Sequence, residues 1–149
     1  MKTSKRYHAK LGAEGDAADF SQWLCFVGGH KDQRWALWLT SGEIDGGMIS
    51  DFTLKRVGSD ANVDSRCRSL SASLEEPTTS PTKLQLGMSE SDLTLALGAP
   101  TSRRSDLFYY AYQHDFKRHG EPYTLMNTIT VRIKNGVVVG IKIWKSTQS

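Results

Sequence analysis

Nucleophilic catalysis needs a serine or cysteine beside a histidine and an orienting acid, and the chain offers one approach to it, Cys25 followed by His30. Cys25 sits inside the apolar run Q-W-L-C-F-V-G-G, where a cysteine is more often packed or bridged than reactive. No G-x-S-x-G elbow occurs. His114, Asp115 and His119 could be drawn around a metal, but helical spacing and a third ligand of known context are missing, so a solvated loop is the better reading. Glu75 with Glu76, and Glu43 with Asp45, read as surface carboxylates rather than as an acid/base pair. V-G-G-H-K-D-Q has two glycines and a lysine yet precedes a strand-like segment, whereas a phosphate cradle opens a helix. No catalytic, cofactor-binding or metal-ligating residue is assigned, and an enzyme is not expected.

Nucleic-acid binding has more behind it. Arg103 and Arg104 precede L-F-Y-Y-A-Y, and Lys117 with Arg118 follows, so basic groups flank aromatics that can stack on bases. Against this, 19 Lys and Arg oppose 16 Asp and Glu, a net charge of only +3. No RNP or helix-turn-helix pattern accompanies them. A cytoplasmic nucleic-acid-binding domain is therefore the second reading.

At 149 residues the chain suits one ordinary domain, or two very small ones, and is long enough to bury a real core; one compact unit is the favoured reading. It has no apolar run of about eighteen residues that could span a membrane. M-K-T-S-K-R-Y-H-A-K-L-G is positively charged but lacks the apolar stretch of a secretory signal, so either the protein is cytoplasmic or a signal has been removed. Cys25 and Cys67 are the two cysteines. They suit one disulfide or two buried thiols, and neither has the close neighbour that a zinc or redox motif needs.

The elements that would position these groups follow from the apolar pattern. Residues 1–20 are polar and small and read as a flexible tail. Residues 21–75 read as β-rich. Q-W-L-C-F-V-G-G is a first strand, H-K-D-Q a turn, and R-W-A-L-W-L-T a central strand apolar on both faces. M-I-S-D-F-T-L-K-R-V alternates with Phe52 and Leu54 inward and Asp51, Thr53 and Lys55 outward. Residues 76–83, rich in Pro and Thr, form an extended connector. Residues 84–149 begin with a helix, which Ser89 and Asp92 start and Gly98 and Pro100 stop. It is about eight residues long, too short to stand alone, and must lean on a sheet with an apolar side of Leu93, Leu95, Ala96 and Leu97.

L-F-Y-Y-A-Y-Q then reads as a strand with aromatics on both faces, and H-D-F-K-R-H-G-E-P-Y as a long exposed loop. N-T-I-T-V-R-I and V-V-V-G-I-K-I-W form the final hairpin. A three-residue loop of Lys134, Asn135 and Gly136 would pair Ile133 with Val137, Val131 with Val139 and Ile129 with Ile141, placing the branched residues under the helix. The reverse face would carry Met126, Thr128, Thr130 and Arg132 with Val138, Gly140, Lys142 and Trp144. Together with the tyrosines of L-F-Y-Y-A-Y it could form an aromatic platform of the kind enriched at protein interfaces. The alternative is that the rest of the chain covers it.

The run L-G-M-S-E-S-D-L-T-L-A-L-G-A-P, followed by Asp106, the aromatic strand and a two-strand hairpin, resembles the SmpA/OmlA (BamE-like) small lipoproteins of bacterial envelopes. Their wider fold family includes the β-lactamase-inhibitor proteins. The likeness spans Leu84 to Lys145. It implies an exported, non-enzymatic protein-binding module in the periplasm or on the periplasmic face of the outer membrane, an assembly subunit or an inhibitor. It also favours the disulfide over free thiols. From the inhibitor branch, where an aromatic concave sheet grips a partner, it implies contact roles for Tyr109, Tyr110, Tyr112 and Trp144, beside Arg132 and Lys142 of the reverse face. The expected fold is α+β, a short helix on an antiparallel sheet, with the N-terminal hairpin region and residues 84–149 forming one compact unit.

Overall fold

The computed structural model describes residues 12–14, 21–42, 48–59, 61–71, 75–79 and 82–148. Among the described residues the architecture is mostly β with one short α-helix, the expected α+β class. The chain divides into two compact units, Met1–Thr78 and Thr79–Ser149.

In the first unit β1 (Gly12–Glu14), β2 (Ser21–Gly28), β3 (Trp35–Gly42) and β4 (Asp51–Arg56) follow one another in an antiparallel sheet. β3 lies between β2 and β4, as its two apolar faces require. Leu24, Phe26, Trp35 and Leu54 share one buried face, and Cys25, Val27 and Ala36 lie buried on the other. Gly28 stands directly opposite Trp35, whose indole fills the space a side chain at 28 would take. The expected tail is partly ordered: β1 pairs with Ser21–Trp23, which G-A-E does not advertise. The rest of that tail, and Glu43 with Asp45, lie outside the described residues. Asp51, expected outward, is buried and accepts a 2.9 Å bond from Thr53 Oγ1.

β5 (Arg68–Ser69) pairs in parallel with β2, and Cys67 beside it is joined to Cys25 by a disulfide. Asp64 prepares that junction. Its carbonyl accepts from Cys67 N–H at 2.9 Å, and its carboxylate takes two bonds from the Arg66 side chain. Arg66 also lies 4.4 Å over the ring of Trp23, two residues from Cys25. The Arg66 hydrogen bonds hold the exposed Asp64 carboxyl down to about 2.

In the second unit β6 (Ser102–Arg104), β7 (Leu107–Arg118), β8 (Glu121–Lys134) and β9 (Val137–Gln148) form an antiparallel sheet in the order β9-β8-β7-β6. Helix α1 (Glu90–Leu97) has the expected ends: Ser89 Oγ accepts from Asp92 N–H at 3.1 Å, and Gly98 leaves with φ 78°. Asp92 reaches back to the Ser89 hydroxyl, its Oδ2 accepting at 2.7 Å. Backbone bonds from Gly87 N–H to Val138 and from Glu90 N–H to Gly136 fasten the segment to the hairpin tip. Only Leu93 of the four apolar helix residues is buried; Leu95 is 85% exposed. Leu84 and Leu86, before the helix, supply the rest of the apolar cover.

The turn joining β8 and β9 corrects the expected register. Asn135 and Gly136 form a two-residue turn, both with positive φ (52° and 77°), closed by Lys134 opposite Val137. Ile133 then faces Val138. A β-bulge leaves Val139 without a partner, so Arg132 faces Gly140, Val131 faces Ile141 and Ile129 faces Ile143. The bulge returns Ile141 to the core side and leaves Val137 exposed. T-S-R-R-S-D, read as a loop, contributes β6 and a turn in which Ser105 has φ 53°.

The segment from His114 to Tyr123 is not a loop. β7 and β8 run on to a two-residue turn at His119 and Gly120. Pro122, which reads as a breaker, pairs with Lys117 one step from the Arg118–Glu121 pair that closes the turn. At that non-hydrogen-bonded position its missing N–H removes no bond to β7, and β9 pairs with β8 only from Thr124 onward.

Candidate protein-binding face

Alternation along β7, β8 and β9 sorts the expected contact residues. Phe108 and Tyr110 share a face with Ile129, Val131 and Ile141, all buried. Tyr110 is 1% exposed, so it belongs to the core and leaves the expected contact set. Its hydroxyl has no hydrogen-bond partner among the described residues, and burial pushes its pKa up. Tyr112 lies on the same face beyond the helix end, 44% exposed, and donates to the Leu97 carbonyl at 3.4 Å. Val138, expected on the reverse face, is buried on this side because the bulge follows it.

The reverse face keeps the remaining four. Tyr109 stands opposite Thr130, which stands opposite Lys142; Thr128 stands opposite Trp144; Arg132 stands opposite Gly140. Tyr109 and Trp144 are 38% and 36% exposed, diagonal to one another across the two threonines of β8. Arg132 Nε lies 3.5 Å from Asp106 Oδ2 in an exposed ion pair of small energetic weight. The face thus presents two aromatic rings on a rigid sheet, small hydroxyls between them and two cations at the side. Such a surface can bury aromatic area while its polar margin fixes orientation.

The groups weighed for chemistry are dispersed. Cys25 is bridged to Cys67, so no thiol faces His30. His114 and Asp115 point to opposite sides of β7, and His119 lies in the turn. Glu76 pairs with Arg56 at 2.6 Å. Arg103, one of the cations flanking the aromatic strand, is engaged by Glu90 at 2.9 Å and lies 4.3 Å over Phe108. A feature the residue types alone did not announce is the row His114, Phe116 and Tyr123 on the far end of the β7–β8 hairpin, with ring centroids 6.2 and 5.7 Å apart. Its signal was the spacing of two aromatic rings on alternate residues within an otherwise polar stretch.

A scan against protein-family models and searches of curated proteins and of solved structures found no match.

Proposed function

We propose that this chain is a non-enzymatic protein-binding module of the bacterial envelope, working in the periplasm or on the periplasmic side of the outer membrane. The observation that carries the reading is the pairing of exposed Tyr109 and Trp144 on one sheet face with Arg132 and Lys142 beside them. Aromatic and arginine side chains dominate binding energy at protein interfaces, and a sheet holds them in place before the partner arrives. The Cys25–Cys67 disulfide fits an oxidising compartment. No helix among the described residues is long and apolar enough to cross a membrane. The resemblance of residues 84–145 to SmpA/OmlA lipoproteins supplies the envelope context, with assembly subunit and inhibitor as the two roles it offers.

The test is affinity capture from envelope extract with the wild-type chain and with a Tyr109→Ala, Trp144→Ala variant of unchanged melting temperature. A protein retained by the first and lost from the second supports the reading. Equal recovery of every captured protein contradicts it.

A further inference from the structure

The twelve residues of β7 outrun the strand beside them. β6 covers only Leu107–Tyr109, and Thr101 Oγ1 accepts from Ala111 N–H at 3.0 Å; beyond that point no described strand lies along this edge. The ladder fixes which backbone groups it offers. Arg118 and Glu121 close a two-residue turn and so exchange hydrogen bonds, and counting back in twos Phe116, His114 and Tyr112 also face β8. Lys117, Asp115 and Gln113 therefore turn their N–H and C=O groups outward. The Ala111 bond to Thr101 and the Pro122 position opposite Lys117 agree with that parity.

An open edge invites another strand, and its side chains decide which. Asp115 is exposed, and its Oδ1 accepts from Gln113 Nε2 at 3.2 Å and from Thr124 Oγ1 at 2.8 Å; His114 beside it acts on its charge, but no lysine or arginine pairs with it among the described residues. Lys117 on the same edge likewise has no anionic partner among them. Opposite charges two residues apart on one strand are complementary to their own antiparallel copy.

We propose that a second copy of this chain adds its β7 to this edge, antiparallel, with the two-fold axis at Phe116. Asp115 of each copy then faces Lys117 of the other, with about four backbone hydrogen bonds exchanged between them. His114 faces Arg118. The two Phe116 rings meet at the axis, continuing the Phe116–Tyr123 stack of each hairpin. Centring the pair on Asp115 or on Lys117 would oppose like charges, so the charges select this register. The contact lies in the plane of the sheet, leaves the Tyr109 and Trp144 face open, and does not depend on the function proposed above.

Sedimentation equilibrium over a rising concentration series tests it, with far-ultraviolet circular dichroism to confirm folding. The wild type should dimerise. Asp115→Lys and Lys117→Asp should each weaken the dimer about tenfold, since each sets two like-charge pairs across the axis, and the double exchange should recover most of the loss. Lys117→Pro should abolish dimerisation while keeping the β7–β8 ladder, because the donor it removes points outward. A wild type that stays monomeric throughout, a double exchange as weak as either single one, or a folded Lys117→Pro chain that dimerises normally would overturn the proposal.

Discussion

Arg132 lies directly across the sheet from Gly140, although counting from the Lys134–Val137 pair that closes the hairpin would bring it opposite Val139. That one skipped residue decides the two faces of the C-terminal unit. It sends Val138 and Ile141 to the core and Lys142 and Trp144 to the open side. Deleting Val139 should therefore preserve both faces, because the remaining residues pair in the same register without the bulge. Denaturant unfolding should show a loss within about 2 kcal/mol. Deleting Ile141 also removes the bulge and keeps Lys142, Ile143 and Trp144 in register, but it sets Gly140 opposite Val131 in place of a buried isoleucine and should cost more, about 2–5 kcal/mol.

The Cys25–Cys67 bridge spans a sequence separation of 42 and ties β5 to β2. On the chain-entropy model its loss should cost about 4 kcal/mol. Urea unfolding of the Cys25→Ala, Cys67→Ala variant, or of the reduced wild type, checks this. The first unit should lose stability while the capped helix and hairpin of the second keep their own backbone bonds.

The Tyr110 hydroxyl is buried without a partner among the described residues. Tyr110→Phe should be neutral or should stabilise by about 1 kcal/mol, since no bond is lost and an unsatisfied group is removed. The same burial raises the folded pKa of Tyr110. Its stability contribution is then complete below the unfolded value near 10 and falls as pH rises through the folded value, because the unfolded chain ionises first. Thermal melts across alkaline pH should show that decline in the wild type and a smaller one in Tyr110→Phe.

Arg66 holds Asp64 near a pKa of about 2 through side-chain and backbone hydrogen bonds. Arg66→Ala should return Asp64 toward 3.8, read by an NMR titration of its carboxyl carbon. The lowered value means that the Asp64 contribution is present above the unfolded pKa and lost as pH falls toward 2. The variant should also uncover the Trp23 ring and shift its fluorescence.

The local signals that survived into the structure are those in which one residue type has one physical use. Ser89, Gly98 and Pro100 mark the ends of α1 because each satisfies or forbids a particular backbone group. The double-faced apolar run of β3 demanded a central strand. Other features depended on pairing, which one strand cannot reveal. Tyr109 and Tyr110 are alike in type, and the register with β8 alone sends one outward and the other into the core. The bulge at Val139 hid behind an apparent alternation of valines. The outer β7–β8 hairpin reads as a loop because most of its side chains meet solvent, so no buried face writes a period of two into it. Leu95, apolar and exposed, shows the converse: a helix docked at its ends through the hairpin tip and Tyr112 need bury only Leu93.

Site-specific photo-crosslinking in a bacterial envelope tests the binding face most directly. A benzophenone side chain is placed in turn at Tyr109, at Trp144 and at the more exposed Leu95 on the outer side of α1. The proposed face should give one and the same heavier adduct from positions 109 and 144 and none from 95. No adduct from either sheet position, or an identical one from the helix, would contradict it.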